Sequence, residues 1–318
     1  MRFFKSLFAA ALLVFLPLAM SGADAAADHA EAAHAEKADA HGEAAHDAHG
    51  EHAEHAKGLP LYAPVLVDLG PIKITNSMVV TWVVAAFIIW FARSATQNIK
   101  EVPEGKQNFW EWLVEGLYEF LEGIIGHELV RKTFWFFATL FIMILSCNWF
   151  GLVPGVGSIG WSHDFHHIAT PLFRGANADL NMTFAMSMIF FACWTYWALQ
   201  ANGPGGFILH IFGPKGETQG FMKVLMIVVF FMVGILEVVS ILFRPVSLSF
   251  RLYGNVFAGE NMLETMAMLS DNFFASFLLP IPFYFMELLV GLVQALVFML
   301  LTAVFTLLIC THEEGEHH

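Results

Sequence analysis

The sequence predicts an all-α membrane protein with about five membrane helices and one interfacial amphipathic helix. Two observations carry that prediction. Of the 318 residues, 57% are hydrophobic and only 14% are charged, whereas soluble domains carry about a quarter. Apolar runs of about 20 residues, enough to cross a bilayer as a helix, also recur along the chain. A helical bundle of this length reads as one unit, the membrane domain 58–318.

The first 27 residues have the form of a secretory signal. Arg2 and Lys5 give a positive start, Leu7 to Met20 an apolar centre, and Ala23-Asp24-Ala25 a small-residue cleavage site. A cleaved signal and an uncleaved first helix both fit, and both place the next segment outside the cytoplasm. That segment, 28–57, is low in complexity, with seven histidines, eight acidic residues and two lysines among alanines. It contributes −6 of the net −13, so overall acidity says little about the membrane part. Its composition fits a solvated tail unable to bury enough apolar surface to fold; a His-rich tract is also able to chelate divalent metal. Cys147, Cys193 and Cys310 stand alone in apolar stretches, without disulfide or zinc spacing.

The first span runs from about Ile74 to Ala92, followed by Arg93, Lys100 and Lys106. From Gln107 to His127, Glu111, Glu115, Glu119 and Glu122 recur at helical spacing among large apolar residues, the pattern of a helix lying in the interface. The second span, Thr133 to Val153, ends in Pro154-Gly155-Val156-Gly157, and the third covers about Asn181 to Leu199 before a Gly/Pro-rich loop, Asn202 to Gly220. Lys and Arg number five in 93–132 and two in 201–223, against one in the intervening loop and none in 271–282. The positive-inside rule puts both basic stretches in the cytoplasm, in agreement with a translocated N-terminus and a cytoplasmic C-terminus.

Two long apolar blocks remain, Phe221 to Ser270 and Phe273 to Thr311. Fifty helical residues extend roughly 75 Å, against about 30 Å of hydrocarbon. Two solutions fit the first block: a break at Pro245, which removes a backbone donor, or a single bent, steeply tilted helix.

Charged residues inside these blocks need a reason. A mid-membrane arginine costs between about 2.5 and more than 10 kcal/mol, so such residues mark ion paths, proton relays or partner sites. Glu237, Arg244 and Arg251 are spaced by seven, and Ser247 and Asn255 flank Arg251 at four, so one helical face holds all five. Arg251 has no acid at i±3 or i±4. Arg244 reads equally as a structural partner of Glu237. Glu260 lies nine residues past Arg251, roughly half a turn away, with Glu264 near it and expected in solvent. In the last block Glu287 is the lone carboxylate, and Gln294 follows on the same face. A lone carboxylate in apolar surroundings is a proton-carrier candidate; a neutral structural acid is the alternative.

The run Arg244-Pro-Val-Ser-Leu-Ser-Phe-Arg251-Leu-Tyr-Gly-Asn255-Val-Phe-Ala-Gly-Glu260 resembles the signature of subunit a of F-type ATP synthases. Ala178-Asp179-Leu180-Asn181-Met182-Thr183, Gly234 to Ser240 and Gln294 to Thr302 are similar to further stretches of that family, and the resemblance covers about residues 60–314. It implies a stator with two aqueous half-channels that pass H⁺ to and from the carboxylates of a rotating c-ring. Arg251 matches the essential arginine that faces the ring. Glu260, Asn255, Glu287 and Gln294 match the outer half-channel, Asp179 its mouth, and Glu237 and Ser247 the cytoplasmic route. The resemblance also implies one long tilted helix through Pro245, with the last two helices set against the ring. Positions 260 and 287 often hold one acid and one histidine in this family; both are acids here.

The implied partners are the c-ring, the peripheral-stalk b subunits, the rest of the F-type ATP synthase and the lipid bilayer of a bacterial inner membrane. No cofactor and no nucleic acid are expected. The chain has no P-loop, HExxH or nucleophile-elbow pattern, so nucleotide chemistry is expected in partner chains. A metal-ion transporter with a His-rich tail is the rival reading. All fifteen histidines, however, fall in the tail, loops or helix ends, whereas soft or borderline metals call for imidazole or thiolate within the span.

Overall fold

Apolar periodicity carries the chain through long helices, and glycine and proline decide where they turn. The computed structural model describes residues 63–68, 73–153, 160–161, 170–171, 174–212, 221–269 and 273–310. The signal-like segment, the His-rich tract and the cluster of His163, His166 and His167 lie outside the described residues.

Two short strands, β1 (Val65–Asp68) and β2 (Lys73–Thr75), pair antiparallel and lead into α1 (Asn76–Thr96). Then come α2 (Lys106–Ile125), α3 (His127–Gly151) and the strand pair β3 (Gly160–Trp161) and β4 (Thr170–Pro171). A 3₁₀ turn, Ala176–Ala178, precedes α4 (Leu180–Phe212), α5 (Phe221–Met268), the short α6 (Phe273–Leu278) and α7 (Ile281–Cys310). Among the described residues five helices, α1, α3, α4, α5 and α7, include stretches long and apolar enough to cross a membrane. The fold class is the expected one, an all-α membrane protein.

Two local departures from the sequence reading have physical causes. Helix α3 starts at His127 rather than Thr133, directly at a corner made by Gly126. The Gly126 N–H donates to the Glu122 carbonyl at 3.0 Å, and its own carbonyl accepts from the Val130 N–H at 3.0 Å. Its φ of 78° and ψ of 161° fall in a region used essentially by glycine alone. Gly126→Ala is expected to destabilise the chain by about 1–3 kcal/mol, read as a lower Tm of the purified protein; an unchanged Tm refutes the corner's role.

Helix also continues where a loop was expected after Leu199. Gly203, at φ 68° and ψ 165°, breaks the regular path, and Pro204 starts a second helical stretch to Phe212. Proline suits a first helical position because its missing N–H has no partner to lose there. At Pro245, by contrast, α5 does not break: it runs for 48 residues as one helix. Ile241, whose carbonyl forfeits a donor to the proline ring, is buried, as is Pro245.

The chain divides into two compact units, each assembled from pieces of the same helices. Described residues up to Val83, with 147–185 and 253–291, make the first. It is rich in buried polar groups, among them Asn76, Ser77, Asn148, Arg174, Asn177, Asp179 and Glu287. The second takes 84–146, 186–252 and 292 onward, and its core is aromatic. Trp197 meets Phe136 at 5.5 Å and Phe137 at 5.9 Å between ring centroids, and Phe137, Phe190 and Phe298 are fully buried. Each such side chain contributes about 1.5–3 kcal/mol on leaving water. Helix α2 joins this core through Leu117, Leu121 and Ile125, one turn apart and buried. Its outer side presents Glu115 and Glu119 together with Phe109 and Trp112, so charged and large apolar groups share that side.

Candidate functional site

Helix α5 carries its charged groups on two sides. Along one face Ile241, Leu248, Leu252 and Gly259 are buried at helical spacing. Beside that face Phe243, Ser247, Phe250, Arg251, Asn255 and Ala258 are exposed. Arg251 therefore stands on an otherwise mostly apolar face, with Ser247 one turn before it and Asn255 one turn after. Glu260, nine residues on, turns to the packed side, where its side chain is 15% exposed.

In the first unit, polar groups from several segments converge. Gly259 makes the convergence possible on α5: a Cβ there would collide with the carboxyl of Glu287. Glu260 and Glu287 line one cavity of about 10 Å³ with Asn148, Gly151, Leu152, Val256 and Gly291, space for about one water. The Arg174 Nε lies 3.8 Å from Glu260 Oε2, and the Arg174 side chain is only 3% exposed. Its guanidinium also sits 5.8 Å from the Phe257 ring, a cation–π distance. The Gly175 N–H donates to the Glu260 carboxylate.

Around that cavity, buried amides fix the backbone. Asn148 Nδ2 donates to the Gly291 carbonyl at 2.9 Å, and Asn177 Nδ2 donates to Asn148 Oδ1 at 2.7 Å. Trp149 Nε1 donates to the Leu288 carbonyl at 3.2 Å. Asp179, 3% exposed, caps α4: Oδ1 accepts from the Asn181 N–H at 3.0 Å, as a helix start favours. Its other oxygen accepts from the Ser77 hydroxyl at 2.5 Å.

The second unit holds a different polar group. Arg244 Nη2 donates to Glu237 Oε1 at 3.2 Å, and the Arg244 guanidinium lies 4.5 Å from the Phe305 ring and 5.7 Å from Trp194. Of the two readings of Arg244, the structure favours pairing with Glu237. On α7, Gln294 is buried, as are Thr302 and Thr306 further along the helix.

The family model for the ATP synthase A chain matches residues 78–306, which include every one of these groups except Ser77. The chain belongs to that family. The ATP synthase subunit a of Desulfotalea psychrophila is 32% identical over 228 residues, covering 72% of this chain and 81% of its own length. Subunit a of Moorella thermoacetica is 32% identical over 237 residues, covering 74% and 91%. Subunit a of Gloeobacter violaceus is 30% identical over 251 residues, covering 77% and 90%. The metal-transporter reading gives way to this family.

Within this chain, the sequence-predicted residues fall into distinct places. Glu260 and Glu287 meet at one cavity, Asp179 sits with Ser77, Glu237 pairs with Arg244, and Ser247, Arg251 and Asn255 share the exposed face of α5. Glu264, expected in solvent, is half-buried with Oε2 shielded. Sequence reasoning missed Arg174, Asn148, Asn177 and Ser77 as parts of the site. Arg174 was visible as the lone basic residue between Ser158 and Asp179, and Asn148 as an amide inside an apolar span.

Proposed function

We propose that this chain is the fixed membrane subunit of an F-type ATP synthase and passes protons to and from carboxylates on a rotating c-ring through two half-channels. The observation that carries this reading is Arg251, exposed on a largely apolar face of the long helix α5. A guanidinium so placed in lipid is costly, and an anionic partner arriving at that face relieves the cost. Its charge favours the ionised ring carboxylate and bars direct leakage between the two routes.

Asp179, Glu260 and Glu287, with Asn255 and Gln294, form the outer route, while Glu237 and Ser247 belong to the cytoplasmic one. The 48 residues of α5 extend roughly 72 Å at 1.5 Å per residue, more than twice the hydrocarbon thickness of about 30 Å. Steep tilt along a cylindrical partner accommodates that length. Peripheral-stalk b subunits hold the chain still, and ATP chemistry lies in other subunits. The basic stretches 93–132 and 201–223 set the C-terminus in the cytoplasm of a bacterial inner membrane and the N-terminus outside.

Asn255→Cys in the assembled complex tests the reading. Paired with single cysteines on the membrane helices of the ring subunit, it is expected to give a disulfide crosslink under oxidation. A full scan without any crosslink contradicts the stator role.

A further inference from the structure

The two acids at the cavity have unequal surroundings. Glu260 faces the Arg174 guanidinium at 3.8 Å and accepts from the Gly175 N–H. Glu287 is 7% exposed, and among the described residues no cation or hydrogen-bond donor meets its carboxyl. Among the described residues, Glu264 and Tyr253 also lie within electrostatic reach of Arg174. Asp179, within reach of Tyr253, has its charge met by the Ser77 hydroxyl and the Asn181 N–H. A buried carboxylate with neither cation nor donor is strongly disfavoured, and a second negative charge on the same cavity adds repulsion.

We propose that Arg174 is the positioning residue of the outer proton route, holding Glu260 as the standing anion so that the transferable proton of the pair resides on Glu287. This deepens the reading of Glu260 and Glu287 as outer-route groups and rests on it. The transfer step is a proton relay only. Glu287 gives its proton inward and takes one from the outer side, while the charge on Glu260 stays compensated by Arg174.

The test uses the complete synthase reconstituted in vesicles, with ATP synthesis followed as the proton concentration on the outer side is varied. Without Arg174, Glu260 competes for the proton and holds it. Arg174→Gln is therefore expected to lower the outer proton concentration giving half-maximal synthesis about tenfold, the lower end of the influence of an adjacent opposite charge. The maximal rate falls as well. Arg174→Lys, which keeps the charge, is expected to restore the wild-type half-maximal value. In a Glu260→Gln background, Arg174→Gln is expected to add no further shift.

An unshifted half-maximal concentration in Arg174→Gln, or an equal shift in the Glu260→Gln background, overturns the proposal. If Arg174→Gln fails to assemble, the double variant Arg174→Gln/Glu260→Gln, which removes both buried charges, is expected to assemble again; continued failure overturns the pairing. Normal synthesis in Glu287→Gln would sink the outer-route reading itself. A silent Arg174→Gln beside an impaired Glu287→Gln sinks only the assignment made here.

Discussion

Replacing Arg251 with alanine is expected to abolish proton-driven ATP synthesis while the complex assembles in normal amount. Two unit charges 4 Å apart at an effective dielectric constant of 20 attract by about 4 kcal/mol, roughly a thousandfold in an equilibrium. That is the scale on which Arg251 favours the ionised form of a carboxylate brought to its face. Without it, a ring carboxylate passing that face has no reason to release its proton there, and rotation no longer couples to transport. Assembly is spared because Arg251 is exposed and makes no part of the packed face of α5. Arg251→Lys separates charge from shape. It keeps the cation but loses the planar fork that matches a carboxylate, and its rate should fall between alanine and wild type. Synthesis by vesicles under an imposed proton gradient measures all three.

The second large effect is expected at Glu287. Glutamine has nearly the same shape as a protonated glutamic acid but carries no transferable carboxyl proton, so packing against Gly259 survives while the relay is cut. Glu287→Gln should lower proton-driven synthesis by about 100-fold, the lower end of what a positioned proton-transfer group contributes. Glu287→Asp retains a carboxyl but withdraws it from the cavity by one methylene, and should recover part of the rate. Measuring synthesis together with the amount of assembled complex distinguishes a broken relay from a folding defect.

Much of this architecture is legible locally. Spans, the amphipathic α2 and the opposed sides of α5 follow from periods of 3.6 residues, and the separation of Arg251 from Glu260 is the same arithmetic applied to charges. The unbroken passage of α5 through Pro245 was not decided by periodicity. A proline inside a helix is tolerated only if its surroundings compensate the lost bond, and the family signature alone pointed to continuity. Residues that complete the site escaped because they come from distant segments. Ser77 reaches Asp179 across 102 positions and Asn148 reaches Gly291 across 143. Arg174 lies in a loop whose composition suggests only a connection, and its role depends on the fold bringing Glu260 to it. Gly126 and Gly203 turn the chain through backbone angles open to glycine, and nothing in a hydropathy pattern distinguishes them from the other glycines of the chain.

The central claim is that Arg251 separates two proton routes that meet a moving carboxylate. It is tested most directly by passive proton flux through Arg251→Ala complexes in vesicles, after removal of the ATP-hydrolysing subunits. The account predicts that these vesicles conduct protons yet make no ATP when the full complex is restored, because the routes communicate without driving rotation. Coupled ATP synthesis at the wild-type rate in that variant would contradict it.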